Sequence, residues 1–378
     1  MNLDKVIIRS KVVKLIREFF DNQGFTEMLT PRLVGLPGQE PYLEPFWTSV
    51  TNNIPLVKGG KGGFPAALIT SPEYSMKRLL AQGMDKIYDL GSCFRNNEPW
   101  DGTHDPEFLM IEWYRRDSGV DQLMDDTEQM IRFVSSHVIL AKAGIQYDKK
   151  FNPLDPRVSR KATWSPRDFT SSDSPEDDKK VDVQFRRMTV EQAWREYAGV
   201  ELADYLGDRE AIAELARTKF NQTVNDDDDW DDIYFKIFLS KIEPNLGWSS
   251  PNSEFRTPNP VFLHCYPASQ ASLSRKCADD PRWAERVELY IGDLELANGF
   301  ADLCDADEQG KRFLEERALR SKQGKKTWAL DERFLSELPK MGNAAGIAFG
   351  VDRLVMLLTD SISINDVLPF PASERFSP

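Results

Sequence analysis

The chain has 378 residues, with 61 acidic against 48 basic, a formal net charge of −13 and 40% hydrophobic residues. That length supports one large domain or two modest ones, no apolar run is long enough to span a bilayer, and the start at Met1 lacks a signal-peptide pattern. A protein that grips a long polyanion usually presents a basic face, so the acidic balance argues against tRNA or DNA as partner and favours a small substrate or a basic protein.

Val12, Leu15, Ile16, Phe19 and Phe20 recur at helical spacing and predict an amphipathic helix that stops at Gly24. Residues 25–31 read as a strand closed by Pro31, and residues 48–66, with Gly59, Gly60, Gly62 and Gly63, as a loop or surface insertion. A helix is expected over 71–82, opened by Ser71, Pro72 and Glu73. Two strands follow, 87–95 and 108–114, around a polar loop. Alternation puts Phe108, Met110, Glu112 and Tyr114 on one face of the second strand, and Leu109, Ile111 and Trp113 on the other. The first face reads either as a site wall or as half-buried strand with a solvated Glu112. Residues 123–140 predict a second amphipathic helix. Residues 152–183, rich in Pro, Ser, Asp and Lys, read as a surface insertion, 226–229 as a solvated acidic turn, and 245–260 as another inserted loop. The four cysteines (Cys93, Cys265, Cys277 and Cys304) have no CxxC spacing and read as free thiols of a cytoplasmic protein. Strands around the site segments with helices beside them predict an α+β fold, an antiparallel sheet flanked by helices.

Two features carry chemistry. The small-residue stretch 346–353 delivers Arg353 to the mouth of an apolar helix, a fixed cation where backbone can approach a nucleotide. Far upstream stands Arg95, with His104 and Phe108 close behind, and two such arginines in an acidic protein point to ATP chemistry. In 285–297, Gly292-Asp293 fits a two-residue hairpin turn, so that Ile291 faces Leu294 and Tyr290 faces Glu295. Glu288 then shares a face with Glu295 as a diagonal neighbour. Two carboxylates this close repel unless a cation lies between them, and Mg²⁺ bridging to phosphate is one candidate. A solvent-exposed acidic hairpin is the other reading. Asn298 joins that face only through a bulge near Asn298-Gly299.

These motifs resemble the class II aminoacyl-tRNA synthetases, in particular the catalytic domain of the lysyl enzyme. The matching segments are Thr70-Ser-Pro-Glu-Tyr-Ser-Met-Lys-Arg78, Pro106-Glu-Phe-Leu-Met-Ile-Glu-Trp-Tyr114, Tyr266-Pro-Ala-Ser-Gln-Ala-Ser-Leu273, Glu295-Leu-Ala-Asn-Gly-Phe300 and Gly350-Val-Asp-Arg353. Within the family the chain is most similar to a free-standing branch that attaches (R)-β-lysine to a lysine of translation elongation factor P. The resemblance implies a homodimer, with Pro31 in the dimer-forming first motif, and one catalytic domain over 1–378 without an anticodon-binding domain. It implies ATP and Mg²⁺ as cofactors. Arg95 would bind the α-phosphate, Arg353 the adenine or γ-phosphate, Phe108 the other adenine face and His104 the triphosphate. Asn96, Asn97, Glu98, Asp105, Glu288, Leu289 and Gly350 belong to the implied ATP-binding set, and Glu288 and Glu295 also to the metal. Ser71, Pro72, Glu73, Glu112, Tyr114, Glu295, Asn298, Phe300, Asp302 and Ala348 would line the amino-acid pocket. Arg95 and Arg353 are the implied catalytic pair, neutralising charge while the substrate carboxylate attacks the α-phosphorus.

The chain departs from the family pattern at three places. The second motif usually reads Arg-x-Glu, whereas here Arg95 is followed by Asn96, Asn97 and Glu98, so that either Asn97 or Glu98 takes the glutamate's place. Asp105 replaces a usual asparagine, and Asp302 a usual glutamate that meets the substrate's distal amine. The alternatives are a related ligase that activates another amino acid for a peptide or small-molecule amine, and a non-catalytic paralogue that binds an amino acid or ATP.

Overall fold

The first helix forms because Val12, Leu15, Ile16, Phe19 and Phe20 share one buried face, each burial being worth about 1.5–3 kcal/mol. In the computed structural model, which describes residues 2–51, 63–142, 184–249 and 257–376, this helix α1 spans Leu3–Asn22. Asn2 caps its start by accepting from the Lys5 amide, and Gly24, at φ +76°, turns the chain after its end. The predicted strand at 25–31 shrinks to β1 (Thr26–Glu27). Residues 48–66 differ from expectation. Their described ends belong to β3 (Trp47–Thr51) and β4 (Gly63–Leu68), which pair antiparallel, with β2 (Leu33–Val34) on the other side of β4. The glycines of the intervening stretch concealed both strands. Residues 52–62 and the predicted 152–183 insertion lie outside the described residues.

Two compact units divide the chain. The first comprises the described residues of Met1–Ser118, Phe133–Phe151 and Leu303–Pro378. Its larger sheet runs β1-β5-β6-β11, with β5 at Lys86–Phe94, β6 at Glu107–Arg116 and β11 at Ala344–Gly350. β5–β6 and β6–β11 are antiparallel, but β1 joins β5 in parallel, so the sheet is mixed. Helix α2 (Glu73–Ala81) buries Met76 and Leu80. Phe20 of α1 packs 5.2 Å from Tyr88 and 5.0 Å from Trp113 between ring centroids, which fixes the α1-covered face of β5 and β6.

The second unit comprises the described residues of Gly119–Arg132 and Asn152–Asp302. Its strands run β10-β9-β8-β7, with β7 at Arg186–Thr189, β8 at Val261–Pro267, β9 at Trp283–Ile291 and β10 at Leu294–Ala301. β7 pairs parallel to β8, and the other pairs are antiparallel. Trp194, Tyr234 and Phe238 anchor a core against Leu263 and Tyr290. The acidic run is exposed at Asp226 and Asp227, but Asp229 caps the helix Trp230–Ile237 through the Asp232 amide. The predicted loop at 245–260 is bridged where described, Trp248 to Pro258. All four cysteines are free thiols, and those of Cys265 and Cys277 hydrogen-bond each other. No helix among the described residues is long and apolar enough to cross a membrane.

Candidate active site

Because α1 covers the Tyr88 and Trp113 face, alternation sends Glu112 to the other face of β6, with Asp89 opposite it on β5. Glu112 is nevertheless only 2% exposed. The solvated reading of this residue is therefore overturned. Ser71 donates to its Oε1 at 2.5 Å and Tyr114 to its Oε2 at 2.9 Å. Burial, reinforced by the nearby carboxylates of Glu73 and Asp89, pushes its pKa up to about 8 against those two hydrogen bonds. Ser71 is held in turn by the Glu73 amide at the start of α2, at 3.0 Å, and Pro72 forms the cap.

Glu73, Ser71, Tyr74 and Glu40 line a cavity of about 380 Å³ in this unit, with Val34, Leu36 and Ile69 as its apolar wall. Lys77 is buried against Glu73 at 2.5 Å. Burial and then the Glu73 carboxylate raise Glu40 to about 7, although the Arg95 and Lys77 charges oppose them. Glu40 and Lys77 escaped the sequence reading. Lys77 had a detectable signal, lying one helical turn after Glu73, whereas Glu40 reaches the site from an irregular segment without periodicity. A surplus of carboxyl over cationic groups, with two carboxyls driven toward protonation, is chemistry suited to an incoming ammonium.

Ala348 lies opposite Glu112 on β11 and packs with Ile69, Met110 and Phe108. Gly346, opposite Tyr114, has a steric reason: a Cβ there would stand 2.1 Å from the Tyr114 ring. Gly346→Ala should therefore lower unfolding stability by about 1–3 kcal/mol, read in a thermal melt. A melt equal to that of the wild type would show that Tyr114 is free to move.

On the neighbouring stretch of the same unit, the Arg95 guanidinium lies over the Phe108 ring at 5.1 Å, and its Nε is buried without a hydrogen-bond partner among the described residues. Arg353 stands in the first turn of the helix Val351–Leu358, behind its cap Gly350, and its Nη2 lies 3.1 Å from His104 Nε2. The Nδ1 of His104 is 3.0 Å from Asp101. The extra residue of the second motif has a clear outcome. Asn97 is exposed with φ +63°, so the chain loops it outward, while Glu98 approaches His104 Nε2 at 3.9 Å. Asn96 is pinned by its amide to the Glu44 carbonyl at 2.7 Å. Asp105 turns away from this group: its oxygens accept from Arg375, the Ala372 amide and the Glu107 amide.

In the second unit the predicted hairpin register holds, Leu294 with Ile291 and Glu295 with Tyr290. A bulge between Glu295 and Ala297, rather than near Asn298-Gly299, places Asn298 opposite Glu288. Glu288 accepts from Arg286, from Tyr266, from Tyr290 at 2.7 Å and from Asn298 at 3.3 Å. The cation that relieves its charge is Arg286. Burial works against the Arg286 charge, but Glu288 and Glu295 outweigh it and hold the guanidinium protonated. Arg286 stacks 4.5 Å from Tyr266 and 5.9 Å from Phe300, and donates to the Gln270 carbonyl at 2.6 Å. The sequence reading missed Arg286, although it lies two residues before Glu288 on the same strand face. Leu289 points the other way and is fully buried. Asp302 is buried, its backbone bridged to Ser274.

Carboxylate oxygens are the right donors for Mg²⁺, but the four donors on Glu288 fill the sites a carboxylate offers. As placed, Glu288 does not fit a metal-ligand role, and Glu295, half-buried, is the carboxylate of the pair suited to one.

A family model described as tRNA synthetases class II (D, K and N) matches residues 2–374. The chain belongs to this class II tRNA synthetase family. Among its curated relatives, the "Elongation factor P--(R)-beta-lysine ligase" of Proteus mirabilis is 31% identical over 372 residues, 98% of this chain and 95% of that relative. The enzyme of the same name from Yersinia enterocolitica is 32% identical over 96% of this chain and 93% of its own length. The "Lysine--tRNA ligase" of Psychrobacter cryohalolentis is 32% identical over 98% of this chain, but only 63% of that relative is covered.

Proposed function

We propose that this protein is an ATP-dependent, AMP-forming ligase that activates (R)-β-lysine, or a close analogue, and transfers it to a lysine side chain of translation elongation factor P. The observation that carries the reading is the buried Glu112 carboxyl, held between Ser71 and Tyr114 beside a cavity rich in carboxyl groups. Such a site is selective for an amine-bearing substrate, and full-length similarity to ligases named for β-lysine points the same way.

In this reading Arg95 and Arg353 neutralise phosphate charge while the amino-acid carboxylate attacks the α-phosphorus and pyrophosphate leaves. Stronger binding of the transition state than of the ground state then follows from fixed cations rather than from a covalent step. The acceptor lysine nitrogen attacks the acyl carbon, AMP departs, and the amine loses a proton. Mg²⁺ would add charge neutralisation at the phosphates, with Glu295 its protein ligand and Glu288 retained by Arg286. The family resemblance assigns Asn298, Phe300 and Asp302 to the same reaction. The protein would work as a homodimer in the cytoplasm as one catalytic domain, without tRNA or DNA. Incubation with ATP, (R)-β-lysine and purified elongation factor P should add one β-lysyl mass to the acceptor. Adenylate formation without any mass gain on that acceptor contradicts the transfer half of the proposal.

The Glu112 shift gives an independent check. Its folded pKa, about 8, lies above its ordinary 4.5, so folding favours the protonated form. The associated stability is complete below pH 4.5 and lost as pH rises through about 8. An ammonium favours the ionised form instead, so amino-acid binding at pH 7 should release about one proton. Calorimetry in buffers of different ionisation enthalpy reads this release, which should fall in Glu112→Gln. Buffer-independent heats in the wild type would exclude an ammonium beside Glu112.

A further inference from the structure

Asp105, a member of the expected ATP-binding set, has its carboxylate engaged elsewhere, and what engages it lies at the far end of the chain. We propose that Arg375 is a positioning residue for nucleotide binding: it clamps Asp105, and through it the segment that contacts both Arg95 and Arg353. The inference rests on the ATP-binding reading given above for Arg95 and Arg353.

The Asp105 side chain is 1% exposed. Its Oδ1 accepts from Arg375 Nη2 at 2.5 Å and from the Glu107 amide at 3.0 Å, and its Oδ2 from the Ala372 amide at 2.7 Å. Arg375 uses its second fork nitrogen on Glu107, at 2.9 Å, a two-point grip that an ammonium does not reproduce. The ring of the next residue, Phe376, lies 6.2 Å from that of Trp100, in the loop before His104. The short helix Ala372–Arg375 therefore touches this segment in three places.

Asp105 stands between the two residues that meet the arginines. His104, on one side, contacts Arg353 at 3.1 Å, and Pro106, on the other, accepts the Arg95 amide at 3.1 Å. Shifting Asp105 moves both contacts together. Removing Arg375 also leaves a buried carboxylate without its cation, next to residues that are to receive a polyanion. Ion pairing here has two consequences: it fixes the backbone, and it cancels a charge that would repel phosphate.

Arg375→Gln should therefore weaken ATP binding about tenfold and lower kcat, with the KM for the amino acid little changed. Arg375→Lys, which keeps the charge but not the two-point grip, should recover only part of the affinity. The double variant Asp105→Asn with Arg375→Gln removes the orphaned charge but not the loss of the clamp, and should still bind ATP more weakly than the wild type. Isothermal titration of ATP into each protein, with melts alongside, decides among the outcomes. A wild type that does not bind ATP overturns the functional reading itself. Wild-type binding matched by Arg375→Gln overturns the clamp alone, as does a melt shift with unchanged ATP affinity. Where Arg375→Gln is too unstable to assay, the double variant carries the test: binding equal to that of the wild type there contradicts the proposal.

Discussion

Arg95→Ala is expected to lower amino-acid-dependent ATP–pyrophosphate exchange about a thousandfold, while the melting temperature falls little. The imbalance follows from what Arg95 touches. Its guanidinium lies over the Phe108 ring at 5.1 Å, a cation–π contact worth about 0.5–1 kcal/mol. Its Nε is buried without a partner among the described residues, so the fold gains little from that donor. A cation placed with so little structural return is placed for a ligand. Arg95→Lys should recover only part of the rate, because an ammonium lacks the planar fork that meets two phosphate oxygens. Unchanged exchange in Arg95→Ala would remove Arg95 from the reaction.

The second large effect has the opposite character. Glu288→Ala should destabilise the protein by about 3–5 kcal/mol even without nucleotide or metal, since the substitution strips the partner from a buried charge. Arg286 would lose its carboxylate, and Tyr266, Tyr290 and Asn298 would lose their shared acceptor. Buried donors left unmade are costly individually and are gathered here at one point. A residue whose main task was to hold Mg²⁺ would behave differently, with a melt near wild type and a raised metal requirement. The double variant Glu288→Met with Arg286→Met should regain much of the stability but not the activity, because apolar side chains can replace a buried pair in packing. A loss below about 1 kcal/mol for Glu288→Ala would return Glu288 to the metal-ligand role implied by resemblance.

Legibility of the sequence followed the range of the interactions. Helix α1 and the β5–β6 pair were readable because Phe19, Phe20, Ile111 and Trp113 sit at the spacing of their own elements. The β9–β10 turn was readable because Gly292 takes φ +60°, where glycine is favoured. The bulge at 295–297 was misplaced, since an inserted residue changes the facing of its neighbours without a compositional mark. β3 and β4 were hidden by glycines between them. Within the site, single residues were found and their partners were not. The pairs Arg353 with His104 and Arg375 with Asp105 are separated by 249 and 270 residues, a span no local pattern reports. The surroundings of Glu112 likewise come from a distance, with Ser71 donating to it from 41 residues away and Ala348 of β11 lying opposite it.

The central claim, that a buried acidic pocket and two arginines activate an amine-bearing amino acid at the expense of ATP, is tested most directly by pyrophosphate exchange across a panel of lysine analogues. Rapid exchange with (R)-β-lysine, slower exchange with L-α-lysine, and none with an isosteric amino acid lacking the side amine is the predicted pattern. Exchange that is absent throughout, or equally fast with the amine-free compound, would contradict it.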